Sequence, residues 1–257
     1  MLTPNVSLQN AGINTRKKGI YLLPNLLTTA GLFAGFYAVI AAMNSAFDGA
    51  AIAILVATIA DGLDGRVARL TGTESHFGSN YDSMADMVSF GVAPGLILYA
   101  WSLTYLGKLG WLIAFWYTAA TALRLARFNT QVHPLESKQY SQGLTCTASA
   151  ATIASALWLS TSYKVTGHTL AIPMAVFTTI IACLMISNCR YYLFKELTHR
   201  GRVPFITVVL AVLGIIAIAL DPPELLFAIM ACYVFSGPVI NYWQIKKVKH
   251  KKVDRLM

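Results

Sequence analysis

Four aspartates stand at helical spacing in the stretch DGLDGRVARLTGTESHFGSNYDSMAD, residues 61–86. Asp61, Asp64, Gly65, Ala68 and Arg69 are separated by 3, 1, 3 and 1 positions and so share one helical face. Gly78, Asp82 and Asp86 repeat every fourth residue and form a second stripe. Between the stripes, TGTESHFG has the glycines and small polar residues of a turn, so two antiparallel helices would bring the carboxylates together. Carboxylate oxygens are the preferred ligands of hard divalent cations. Two such ions bridged by shared carboxylates can hold a phosphate, stabilise the charge on a leaving group and activate an attacking oxygen. Gly65 and Ala68 leave one helix face nearly bare for a flat ligand, and Gly78 does the same one turn before Asp82. Arg69, on the same face as Gly65, can reach a phosphate with a bidentate fork. A salt-bridge network is the plainer alternative, yet Arg66 and Arg69 would neutralise at most two of the four aspartates.

The elements that carry these residues belong in a lipid bilayer. Of 257 residues, 56% are apolar and only 12% charged, against roughly 25% charged in a soluble domain. Apolar runs near the ~20 residues needed to cross a bilayer recur along the chain, which predicts an all-α polytopic helix bundle. Eight spans are expected, near residues 20–45, 48–70, 79–104, 109–128, 145–162, 168–189, 203–220 and 224–243. The first is too long for the core of a signal peptide and reads as a retained helix. All Lys and Arg except Lys108 and Lys164 then fall on the face that holds both termini, which makes that face cytoplasmic. A lone Asp within the bilayer costs about 2.5–3.5 kcal/mol, so five of the chain's eleven acidic groups within residues 61–86 demand compensation. Cys146, Cys183, Cys189 and Cys232 lack metal-ligand spacing and are expected to be free, buried thiols.

The 61–86 stretch resembles the signature of the CDP-alcohol phosphotransferase family, D-x-x-D-G-x-x-A-R, eight residues, G-x-x-x-D-x-x-x-D, and matches it at every position and spacing. The resemblance implies an integral membrane enzyme whose first six helices enclose the site, here residues 20–190. An additional helix pair (191–243) follows, with a short segment before the core (1–19) and a basic tail after the pair (244–257). It implies two magnesium or manganese ions and a CDP-linked donor from which CMP leaves. By position, Asp61 and Asp82 would ligate both ions, Asp64 one and Asp86 the other, with Asp86 also the general base. Gly65, Arg69 and Ser75 would contact the CDP moiety, with Ala68 on the bare face beside Gly65 and Gly78 on the second stripe.

The flanks narrow the acceptor. SFGVAPG (89–95), LRLARFN (123–129), SGP (236–238), YLLPNLLTTAGLFAGF (21–36) and SNCRY (187–191) resemble the serine-using branch of the family. That branch transfers a phosphatidyl group from CDP-diacylglycerol to serine. One stretch departs: YSQGLTCTASAA (140–151) carries Thr145 and Thr147 where that branch usually shows prolines, which bears on the entry of the fifth helix. Arg124 and Arg127, and Asn188 with Arg190, are the candidate partners for serine. Another alcohol such as glycerol 3-phosphate, and a divalent-metal transporter using the same aspartates, are the alternatives. The tail segment KKVKHKK is read as an anchor on anionic lipid of the inner membrane, and no nucleic-acid partner is expected. Gly31 and Gly35 have small-xxx-small spacing, which suits either a homodimer or packing within one chain.

Overall fold

The computed structural model describes residues 11–130, 140–192 and 221–253. Seven long helices are seen among the described residues, with a short 3-10 helix at Leu103–Leu106: α1 (Ala11–Met43), α2 (Phe47–Thr71), α3 (His76–Trp101), α4 (Lys108–Thr130), α5 (Cys146–Ser162), α6 (Ala171–Ile186) and α7 (Pro222–Val253). The expected span at 203–220 lies outside the described residues. Four stretches are long and apolar enough to cross a membrane: Leu23–Met43, His76–Trp101, Lys108–Thr130 and Pro222–Asn241. Helix α2 has the length but carries Asp48, Asp61, Asp64, Arg66 and Arg69. Around the outside, Phe33, Phe36, Val56, Ile59, Trp111, Phe115, Ile172, Val176 and Phe235 are exposed, which suits a lipid solvent as apolar as the side chains themselves. The chain is an integral membrane helix bundle.

Small residues set the packing of the core. Ala34, Ala38, Ala41 and Ala42 of α1 and Ala50, Ala51, Ala53 and Ala57 of α2 are all buried, which lets two antiparallel backbones approach closely. A Cβ added at Gly31 would lie 3.5 Å from Ala60 Cβ, and one added at Gly35 would come within 2.7 Å of Ser89 Cβ. Both glycines are therefore used inside the chain. Helix α5 is buried almost continuously from Cys146 to Leu157 and packs against α2 and α7.

Local signals explain the ends near the aspartates. Gly72 closes α2 in the left-handed conformation (φ 61°), its N–H reaching the Ala68 and Arg69 carbonyls. Ser75 starts α3 by accepting from Gly78 N–H at 3.0 Å. The turn is thus shorter than TGTESHFG, and Gly78 already lies inside α3. Helix α3 is α-helical over His76–Asp86, π-helical over Met87–Val92 and α-helical again over Ala93–Trp101. Its irregularity has a partner: Pro94 offers no N–H to the Phe90 carbonyl four residues back, and the buried Tyr117 hydroxyl donates to that oxygen at 2.9 Å. Helix α7 repeats the arrangement. Pro238 offers no N–H to the Val234 carbonyl, and the buried Tyr191 hydroxyl donates to it at 3.0 Å.

One addition to the all-helical expectation appears among the described residues. Strands β1 (Tyr140–Gln142) and β2 (Arg190–Tyr192) pair antiparallel, with Ser141 opposite Tyr191. Gly143 follows at φ 78°, its N–H donating to the Cys189 carbonyl at 2.8 Å. This clasp ties the end of α6 to the start of α5. One further expectation needs correction. Only Cys146 is a buried thiol; Cys183 and Cys232 are exposed, and Cys189 is half-buried against the core. Helix α7 runs on past residue 243 to Val253.

Candidate active site

The end of α2 and the start of α3 bring the carboxylates together. Asp61, Asp64 and Asp82 each offer an oxygen, and these atoms all lie within 4.8 Å of one another. Asp64 is buried, and Asp61 and Asp82 are partly so. Asp86, one turn beyond Asp82, sets its carboxyl against that of Asp61. The Cys146 thiol donates to Asp86 Oδ2 at 3.8 Å. All four aspartates line one pocket, together with Thr28, Gly31, Leu32, Ala57, Ser89 and Phe90. Hard oxygen donors converging at a partly buried site are what a divalent cation takes, and the donor set fits such an ion.

Two hydroxyls from other helices hold the α2 aspartates. Thr28 of α1 donates to Asp64 Oδ2 at 2.7 Å. Thr147 of α5 donates to Asp61 Oδ2 at 3.1 Å. Neither threonine stood out from the sequence as a site residue. Thr147 was visible only as a departure from proline, and Thr28 as one polar residue in an apolar run. The departure at 145 does not disturb the entry of α5: Thr145 is its N-cap, accepting from Ala148 N–H at 3.2 Å.

The bare face looks different once side chains are placed. A Cβ at Gly65 would meet the Arg69 guanidinium at 3.6 Å, so the fork of Arg69 lies over that glycine. At Gly78 a Cβ would meet Ser75 Oγ at 3.1 Å and Asn25 Oδ1 at 3.4 Å. Ala68 is half-buried beside them, and Arg69 and Ser75 are exposed.

Comparison with known proteins agrees with this geometry. Residues 21–181 match the family model for CDP-alcohol phosphatidyltransferases. The chain belongs to the CDP-alcohol phosphatidyltransferase family. It is similar to a CDP-diacylglycerol–serine O-phosphatidyltransferase of Helicobacter pylori, 33% identical over 231 residues, covering 90% of this chain and 94% of that protein. The enzyme of the same name from Mycobacterium leprae is 32% identical, over 87% of this chain and 75% of that protein. An archaetidylserine synthase of Methanothermobacter thermautotrophicus is 32% identical over 171 residues, 66% of this chain and 69% of that protein. CDP-alcohol phosphotransferases generally depend on divalent metal, and the aspartate cluster is where this family member could hold it.

The two described arginines at the end of α4 are engaged differently. Arg127 spreads its guanidinium over Gln142 Oε1 and Asn188 Oδ1, both at 2.7 Å, and the Ile186 carbonyl at 3.4 Å. It thereby joins α4 to β1 and to the end of α6. Arg124 turns inward and donates to Cys146 Sγ at 3.5 Å. Through that thiol it adjoins Asp86. Arg190 lies in β2, paired in register with Gln142.

Proposed function

We propose that this enzyme transfers the phosphatidyl group of CDP-diacylglycerol to the hydroxyl of L-serine, giving phosphatidylserine and CMP. The observation that carries the reading is the convergence of Asp61, Asp64 and Asp82 within 4.8 Å at the meeting of α2 and α3. The serine assignment is supported by the names of the relatives, and neither glycerol 3-phosphate as acceptor nor a transporter is favoured by them.

Two magnesium or manganese ions, with Asp61 and Asp82 as shared ligands, Asp64 on one ion and Asp86 on the other, would neutralise the diphosphate and the departing CMP. Asp86 accepts the proton of the serine hydroxyl as that oxygen bonds to the lipid-side phosphorus and the bond to the CMP oxygen breaks. Arg69 holds a diphosphate oxygen, and Gly65, Ala68, Ser75 and Gly78 admit the nucleotide against the backbone. Of the serine candidates Arg124, Arg127, Asn188 and Arg190, Arg124 is favoured by its position beside Cys146 and Asp86. Arg127 and Asn188 are already spent on each other.

In this reading the full chain has eight spans, six forming the catalytic core (20–190) and two following (191–243), flanked by residues 1–19 and 244–257. The bundle sits in the inner membrane with both termini and the site toward the cytoplasm, its basic C-terminal segment on anionic lipid. A homodimer would use a face other than Gly31 and Gly35. The test is the purified full chain with CDP-diacylglycerol and a panel of alcohols, followed by CMP release. Serine-dependent release that stops in excess chelator and returns with magnesium or manganese is expected. Release with glycerol 3-phosphate but not serine, or full activity in chelator, would overturn the reading.

A further inference from the structure

We infer that Thr147 is a positioning residue for the metal-binding carboxylate Asp61, an inference that rests on the proposed function for its catalytic meaning. The reason lies in where the threonine sits. Two buried threonines elsewhere in the bundle turn their hydroxyls back on their own helix alone: Thr152 donates to the Ala148 carbonyl at 2.7 Å and Thr178 to the Met174 carbonyl at 2.7 Å, while buried Thr28 reaches the Pro24 carbonyl at 3.1 Å as well as Asp64. Thr147 is the second residue of α5, and the residue four positions back, Gly143, is outside the helix. No helical carbonyl is available to take its proton, so the hydroxyl points across to α2 and meets Asp61 Oδ2 at 3.1 Å.

The first turn of α5 is also held from outside. The Thr145 cap fixes the backbone at the helix entry, and the Gly143 and Leu144 N–H groups are tied to the Cys189 and Leu184 carbonyls at 2.8 and 3.1 Å. The position of the Thr147 hydroxyl is therefore set by α6 and the strand clasp as well as by α5. A hydroxyl donated to one carboxylate oxygen occupies one of its lone pairs and fixes the plane of the group. The remaining lone pairs are then aimed at the space between Asp61, Asp64 and Asp82. Asp61 and Asp64 are each steadied this way from a different neighbouring helix, Thr147 on α5 and Thr28 on α1.

The test uses the purified full chain in detergent and titrates Mn²⁺ by the electron paramagnetic resonance signal of the free ion, with no substrate present. Removing an outer partner of a metal ligand typically weakens metal binding by about 10- to 100-fold. Thr147→Val and Thr147→Ala are each expected to show that loss, Thr147→Ser to recover wild-type binding, and the melting temperature without metal to stay unchanged in all three. Wild-type Mn²⁺ affinity in both the Val and Ala variants overturns the inference. So does a Ser variant as weak as they are, a metal-free melting temperature lowered in step with binding, or a wild-type chain that binds no Mn²⁺. CMP release is followed in the same preparations. A chain whose Mn²⁺ binding depends on Thr147 but which transfers nothing to serine would sink the proposed function and leave the positioning role standing.

Discussion

At the end of the bundle where α2 meets α3, Asp61, Asp64, Asp82 and Asp86 crowd into one pocket, and two of them take hydroxyls from Thr147 and Thr28. At the opposite end the described acidic groups Asp48, Asp221 and Glu224 lie at the surface. Exposed Asp48 takes the Thr161 hydroxyl, and exposed Glu224 takes that of Tyr163. A buried polar contact there is neutral, from Ser102 Oγ to the Gly167 carbonyl at 2.8 Å. The same helices thus handle acidic side chains in two ways. A carboxylate left at the surface needs one hydroxyl or water. Four gathered in a pocket repel one another, and neutral hydroxyls cannot offset that charge. The difference is what singles out a cation-binding site from acidic side chains in general.

The widest gap between the ends should appear on charge removal. Asp82→Asn is expected to lower CMP release by about a hundred- to a thousandfold, the scale set by loss of one preorganised electrostatic partner in other enzymes. Measured kcat with serine and donor saturating checks it, and an Asp82→Asn enzyme within a few-fold of wild type would erase the distinction. Gly35→Val comes next. Its side chain has no room against Ser89, where even a Cβ falls within 2.7 Å, and overpacking costs about 1–3 kcal/mol. Since Ser89 is three residues past Asp86, activity should fall together with the melting temperature in detergent. A variant that melts lower but keeps full activity would separate the packing of α3 from the placement of its aspartates.

A smaller effect is expected from the two tyrosines that serve helix carbonyls opposite prolines. Tyr117→Phe and Tyr191→Phe each withdraw the donor from a buried carbonyl, at Phe90 and Val234 respectively, which costs about 1–3 kcal/mol. Thermal unfolding should shift down in both. Only Tyr117→Phe should also lower kcat, because its carbonyl lies on the helix that bears Asp82 and Asp86. Least of all, Asp48→Asn should change stability by no more than about 0.5 kcal/mol, as surface substitutions usually do. Its CMP release should equal that of wild type, and a large loss would mean that the far end also takes part in the chemistry.

Much of the site was legible because helical period is a local property. The spacing of Asp61, Asp64 and Gly65, and of Gly78, Asp82 and Asp86, puts each set on one face whatever surrounds it, and a short turn makes the two helices neighbours. Composition was informative too: its apolar runs include the four helices that are long and apolar enough to cross a membrane, and the expected span at 203–220 lies outside the described residues. The boundaries were less legible. Ser75 and Gly72 end the turn sooner than its polar composition suggested, because a cap recruits the first residues of the next helix.

What the sequence by itself determined, then, is the set of carboxylates, their helices and the kind of solvent around them, since these follow from residue type and period along one segment. The tertiary structure alone decided which residues complete the site. Thr28 and Asp64 are 36 positions apart, Thr147 and Asp61 86 apart, and no local rule links either pair. It decided that Gly31 and Gly35 pack within the chain, that Arg127 braces β1 and the end of α6, and that Arg124 turns toward Cys146 and Asp86. The physical reason is the reach of a hydrogen bond. A side chain finds its partner within about 3 Å, and only the packing of helices far apart in the chain settles which groups come that close.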